Sequence, residues 1–240
     1  MIEVGNLRKE FRGVTAVRDV SFTAPNGAIT GLLGSNGAGK TTTLRMVAGI
    51  LNPTAGFARI DGTAAGAPEG QCNIGALLDQ SGLYPRLTVR ENLEYFGRLR
   101  GLRRVGERVD EVVSLLGLET IADRRTAGFS QGERMKTALG RALIHSPGNL
   151  LLDEPTNGLD VPTVRSLREL LKTMRDQGAC IIFSSHVLAE VRGLCDHVVV
   201  IARGSVVAQG TPQEMCEWTE TQNLEDAFVR LTSAEEVVKC

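Results

Sequence analysis

A chain of 240 residues with 42% hydrophobic and 23% charged side chains has room for a large buried core and the composition of an ordinary globular protein. Its net charge of −1 provides no global field that would draw it to nucleic acid or anionic lipid, and the arginines at Arg98, Arg100, Arg103, Arg104 and Arg108 read as a solvated helix face. The five cysteines are scattered with no CxxC pair, which points away from a disulfide framework or a zinc site and toward reduced thiols.

No apolar run approaches the ~18 residues that span a bilayer, and "MIEVGNLRKEF" has no apolar signal core. A membrane process served by this protein is expected to take its membrane part from another chain.

In chain order, strand-like stretches occupy 2–7, 14–23 and 29–33, and a helix begins after Gly39. Strands at 58–60 and 73–78 follow. Residues 85–148 break the alternation, with helices beginning near Thr88, near Glu107 and at Ser130 and no strand between them. Strands return at 149–152, 179–184 and 198–202, with helices after Pro162 and after His186. Residues 203–214 read as a hairpin strand turning into a short C-terminal helix. The runs "NLLLD", "CIIFSS" and "HVVVIA" are continuously apolar, as strands buried on both faces of a parallel sheet are. The expected architecture is an α/β domain with a helical insertion.

The strongest chemical signal is "GLLGSNGAGKTTTLRMVAG". Gly34 and Gly39-Lys40-Thr41 match GxxxxGK[ST] between an expected strand and an expected helix. Such a loop turns successive backbone amides onto one anion, and the helix N-terminus adds its positive end. Lys40 is placed to reach terminal phosphates, and Thr41 Oγ1 to ligate Mg²⁺. A dinucleotide fingerprint fails, because Thr42 stands where its last glycine belongs.

"NLLLDEP" delivers Asp153 and Glu154 to a strand end. Asp153 suits Mg²⁺, directly or through water, and Glu154 suits a base that polarises an attacking water. Gln80 and His186 end two further strands, where open α/β sheets bind ligands. Gln80 is expected at Mg²⁺ or the water, and His186 at the γ-phosphate. At "FSQGE", Ser130 and Glu133 form a capping box, and the same helix end is an anion site.

"GSNGAGKT", Gln80, "FSQGE", "LLLDEP", "NGLD" and "SSH" occur in the order and rough spacing of ATP-binding cassette (ABC) ATPases, which the chain resembles over residues 2–215. The resemblance implies a P-loop NTPase (RecA-like) core with an antiparallel β portion and an inserted α-helical subdomain. On that reading one ABC ATPase domain divides into a nucleotide-binding core at 1–84 and 149–210, a helical subdomain at 85–148 and a helical tail at 211–240.

It further implies that ATP and Mg²⁺ are bound by Gly34, Ser35, Asn36, Gly37, Ala38, Gly39, Lys40, Thr41 and Thr42, that adenine stacks on Phe11, and that Ser130, Gln131, Gly132 and Glu133 face the nucleotide of a second subunit. Asp160 matches an aspartate that contacts that subunit. Phe11 stands where tyrosine is commoner, and Ser35 where proline is. "FSQGE" departs from the common Leu-Ser-Gly-Gly-Gln, putting a side chain at Gln131 and a carboxylate at Glu133.

"LYPRLTVRENLEYFGRLRGL" and "FSSHVLAEVRGLCDHVVVIARGSVVAQGTPQE" look like ATPase subunits of ABC-2-type exporters, most like the group associated with sodium extrusion. The implied protein is a peripheral subunit on the cytoplasmic face. It forms a homodimer or pairs with a related ATPase, and it couples hydrolysis to a separate transmembrane permease that docks near Leu83 and Tyr84. Two other classes fit less well. A soluble ABC ATPase acting on nucleic acid or the ribosome usually carries long insertions or two cassettes, and no nucleic-acid partner is expected here. A GTPase-like switch lacks its guanine-specifying motif, since "TNGLD" has no lysine.

Overall fold

The computed structural model describes residues 1–78 and 82–233. Strands β1 (Ile2–Phe11) and β2 (Val14–Ala24) form a long antiparallel hairpin. The edge of β1 is extended by β4 (Ala55–Ile60) and β5 (Thr63–Ala64), again antiparallel. The rest of the sheet is β3 (Ala28–Leu33), β6 (Ile74–Leu77), β7 (Asn149–Asp153), β8 (Cys180–Ser185), β9 (His197–Ala202) and β10 (Ser205–Gly210). All ten strands form one sheet in the order β5-β4-β1-β2-β10-β9-β3-β8-β7-β6. The run β9-β3-β8-β7-β6 is parallel. β10 lies antiparallel to β9 and meets β2 through the pair Ser205↔Asp19.

The continuous apolar runs follow from burial on both faces. Along β8, Ile181 and Phe183 enter one core cluster while Cys180 and Ile182 enter the other. β9 divides likewise, Val198 and Val200 against Val199 and Ile201. With a side-chain period of two, neither face of such a strand is left to solvent. One cluster backs onto α1 (Lys40–Val47) through Leu44 and Val47. The other takes in α6 (Val161–Asp176), α7 (Leu188–Leu194) and the inserted helices.

The insertion comprises α3 (Val89–Leu99), α4 (Val105–Leu115) and α5 (Gln131–Leu143), which pack on one another. Its only β pairing among the described residues is the isolated bridge Thr88↔Arg125. α5 also rests on β6, tying the helices to the sheet. Past β10, α8 (Pro212–Trp218) and α9 (Leu224–Ser233) pack together, and α9 leans on α7, β9 and β10.

Local chemistry sets the helix starts. Thr88, Ser130 and Thr211 cap α3, α5 and α8, each with a reciprocal glutamate three residues on, so two orphan amides are satisfied at each start. Asp160 caps α6, which starts two residues earlier than the reading after Pro162, with Val161 at N1 and Pro162 inside the first turn.

Short elements lie outside the sequence reading: β5, α2 (Pro68–Cys72) and 3-10 turns at Glu119–Ile121 and Thr126–Gly128, all shorter than any periodicity can register. β1 runs on to Phe11 rather than stopping near Leu7, because "RKEF" is held by pairing with β2 and β4 and not by burial.

Candidate functional site

The carboxyl ends of β3, β8 and β7 lie side by side, with Leu33 paired to Ser185 and Asp153 to Ser184. The loop after β3 is shaped by contacts that exclude side chains. A Cβ on Gly34 would lie 2.5 Å from Ile201 O, and one on Gly39 2.8 Å from Ala16 O. Gly39 also has φ 106°, where glycine is favoured. Ser35, Asn36 and Gly37 form the exposed tip, Ala38 is buried, and Thr42 is half-buried on α1.

Lys40 opens α1 and is only 5% exposed. Its ammonium donates to Gly34 O at 2.8 Å and Ser35 O at 3.3 Å, and lies 3.6 Å from Glu154 Oε1. A buried ammonium is tolerable only with such partners. Thr41 Oγ1 donates to Asp153 Oδ2 at 2.6 Å, joining α1 to the end of β7.

Glu154 is held on both carboxylate oxygens. Beside the Lys40 contact at Oε1, His186 Nδ1 lies 3.2 Å from Oε2. Its backbone has φ 46°, a conformation that costs a non-glycine residue on the order of 1 kcal/mol. Its amide donates to Ser184 Oγ at 3.0 Å and Ser184 O at 3.2 Å.

Ser184 is given no role by the sequence, because within "SSH" only the histidine has chemistry that points to a phosphate and a serine inside an apolar strand does not mark itself. A second overlooked group is Glu190, whose Oε2 accepts from Thr156 Oγ1 at 2.6 Å and Ser185 Oγ at 3.1 Å, bridging the segments after β7 and β8.

Phe11 ends β1 at the hairpin, 44% exposed, with Lys9 Nζ 5.1 Å from its ring centroid. It pairs with Val14, shortly before the Ala16 backbone and Val17 side chain on which Gly39 packs. Gln80 lies outside the described residues.

Ser130, Gln131, Gly132 and Glu133 stand at the start of α5. Glu133 N donates to Ser130 Oγ at 3.2 Å, and Ser130 N to Glu133 Oε2 at 2.8 Å. The Ser130 amide, with Arg124 3.1 Å away, holds the Glu133 carboxyl below the usual carboxylate range. Gln131 Nε2 donates to Asn157 O at 2.8 Å within the same chain. A Cβ on Gly132 would meet only Thr163, at an ordinary 3.6 Å. Among the described residues, these four thus bond to each other, to Arg124 and to the loop after Glu154, and not to Lys40 or its loop. Asp160 is engaged as the cap of α6, and the Thr163 bonds lower its carboxyl pKa.

Beside the insertion, Tyr84, Pro85, Arg86, Leu87 and Tyr95 line an open groove of about 480 Å³. Tyr84 is pinned to α3 by its amide on Asn92 Oδ1, 2.8 Å, and its ring meets Tyr95 edge-on at 4.9 Å. Leu83 is half-buried.

A glycine loop leading into α1, with a buried lysine and a hydroxyl–carboxylate pair reaching the neighbouring strand end, defines a P-loop nucleotide-binding protein of the α/β class. The family model described as ABC transporter matches residues 17–157. Over 221 residues the chain is 42% identical to the ABC transporter ATP-binding protein NatA of Bacillus subtilis, with 90% of each chain covered. It is 35% identical over 221 residues to the Nod factor export ATP-binding protein I of Cupriavidus metallidurans, covering 90% of this chain and 73% of that one. A solved structure described as the ATP binding subunit of an ABC transporter matches with a TM-score of 0.89 at 29% identity, covering 97% of this chain and 99% of that one. The chain belongs to the ABC transporter family and is an ATP-binding subunit of it, an ABC ATPase.

Proposed function

We propose that this ATPase powers a separate transmembrane permease, in the manner of an exporter, through a nucleotide site that a second ATPase subunit completes. The observation that carries the catalytic part is Glu154 itself: a carboxylate in a strained backbone, braced between Lys40 and His186, next to the Thr41–Asp153 pair. Lys40 binds the terminal phosphates of ATP in place of its present carbonyl and Glu154 partners. That exchange releases Glu154 to accept a proton from the attacking water, while His186 orients it and reaches toward the γ-phosphate.

The hydroxyl of Thr41 and the carboxylate of Asp153 are hard oxygen donors of the kind Mg²⁺ takes, with phosphate oxygens and water filling the other positions. Among the described residues no cluster of His, Cys, Asp and Glu side chains could hold a metal alone, which fits an ion that arrives with ATP. Held there, Mg²⁺ would supply positive charge against the charge that develops on the phosphates. Gln80 is proposed to meet the ion or the water, and the amides of 34–42 to cradle the phosphates, with adenine on Phe11.

Ser130, Gln131, Gly132 and Glu133 are exposed or half-buried at a helix N-terminus and bond within their own subunit. We read them as the surface offered to the partner's nucleotide, with the Ser130 hydroxyl exchanging its cap for a phosphate contact on closure and Arg124 offsetting the Glu133 charge. The partner is a second copy or a related ATPase, brought in by ATP as a closure that favours the bound state.

No helix among the described residues is long and apolar enough to cross a membrane. In this proposal the permease is a separate chain, docked at the Tyr84 groove on the cytoplasmic face. The exporter assignment rests on the Nod factor export relative and the ABC-2 resemblance, and sodium as a candidate cargo rests on that resemblance alone.

Glu154→Gln tests the reading. ATP binding should persist while hydrolysis falls by at least ~100-fold, the scale of a general base. Turnover at the wild-type rate would remove Glu154 from the mechanism.

A further inference from the structure

Ser184 occupies the last turn of the ladder between the two working strands. β8 lies between β3, which carries the phosphate loop, and β7, which carries the acidic pair. Ser184 pairs with Leu32 on one side and with Asp153 on the other. Its side chain is wholly buried, 0% exposed, so its hydroxyl works without competition from bulk water.

The hydroxyl has one hydrogen and two lone pairs, and the structure uses it in both senses. The hydrogen goes to Asp153 Oδ1 at 2.5 Å, and a lone pair receives the Glu154 amide at 3.0 Å. Asp153 Oδ2 is held from the opposite side by Thr41. The carboxylate is therefore clamped on one oxygen from α1 and on the other from β8, and the same atom that clamps it anchors the backbone that aims Glu154.

We propose that Ser184 is a positioning residue for the divalent-cation side of the site, fixing the rotation of the Asp153 carboxylate and the exit direction of Glu154. It touches neither substrate nor cation. The inference rests on the reading of Asp153 as the cation-holding carboxylate. Removing the hydroxyl takes away the donor that holds Asp153 Oδ1, so the carboxylate is freed to rotate about its remaining contact with Thr41, and it leaves the Glu154 amide with Ser184 O alone. Partners of this kind, one step behind a metal ligand, typically change metal affinity or activity by about 10–100-fold.

The test is Mn²⁺ binding, followed by electron paramagnetic resonance on the full chain with the non-hydrolysable analogue adenylyl imidodiphosphate, alongside nucleotide affinity in EDTA. Ser184→Ala should weaken Mn²⁺ by about ten-fold, at the low end of that range, while the metal-free affinity for the analogue stays at the wild-type value. Ser184→Cys keeps the volume but donates weakly and should lose Mn²⁺ affinity comparably, whereas Ser184→Thr, which retains the hydroxyl, should restore most of it.

Wild-type Mn²⁺ affinity in both the alanine and cysteine variants overturns the proposal, as does an equal loss of metal-free nucleotide affinity, which marks a general disruption of the site. Asp153→Asn separates the two levels. If it weakens Mn²⁺ while the Ser184 variants do not, the positioning role alone falls. If it does not, the reading of Asp153 falls and the Ser184 role with it.

Discussion

In the proposed mechanism, Lys40 is the side chain that links the resting geometry to the chemistry. Its ammonium is buried and is satisfied by two loop carbonyls and Glu154, partners it can exchange for phosphate oxygens without ever being left unpaired. A charged hydrogen bond is worth about 1.5–3 kcal/mol, so Lys40→Ala should weaken ATP binding by at least ~10-fold in a fluorescent-nucleotide titration. Unchanged affinity would contradict the role given to it. Glu154 was legible from its place after "LLLD", but its positive φ and its bracing were not, because they depend on Ser184 and His186 from another strand. Residue type and order marked the candidate groups. Only the register of β7 against β8 could show which buried hydroxyl serves them.

At the scale of elements, the start of α5 is a capped helix end to which the proposal adds a functional demand. The capping box at Ser130 and Glu133 was readable from four letters, since its bonds are local. Gln131 on Asn157 O was not, since it joins residues 26 apart in sequence. That bond links the start of α5 to the loop that leads from Glu154 into α6, so the helical insertion and the acidic strand end move with a shared restraint. Ser130→Ala should cost about 1 kcal/mol of stability, the usual worth of an N-cap, seen as a lower urea midpoint, and should reduce hydrolysis well beyond that small change. A stability loss with full ATPase activity would leave Ser130 a cap and nothing more. The long, strongly apolar strands were read to within a few residues, while β5 and α2 were invisible because two and five residues cannot show a period.

For the whole molecule, the parallel run of the sheet could be inferred because strands buried on both faces have no polar alternation to preserve. The strand order could not, since it is decided by how α1, α6 and α7 cover the two faces. The same burial governs thiol chemistry. Cys180 is pushed up to about 11 by burial, Cys195 is also raised by burial, and Cys72 is exposed. At pH 8 in the folded protein, Cys72 should therefore react with a thiol reagent and Cys180 and Cys195 should not, as peptide mapping of the labelled sites would show. Rapid labelling of Cys180 would mean that the packing of β8 is looser than described.

In the proposed mechanism this chain holds one half of each nucleotide site and offers the other half, the segment from Ser130 to Glu133, to a partner. The most direct measurement is a structure of the Glu154→Gln transporter complex, purified with its permease and trapped with ATP and Mg²⁺. Ser130 Oγ of one ATPase subunit should lie within about 3.5 Å of a phosphate oxygen held by the opposite subunit, its bond to the Glu133 amide given up. A closed, ATP-bound complex in which Ser130 keeps that cap and lies more than ~4 Å from every phosphate oxygen, beyond hydrogen-bond reach, would contradict it.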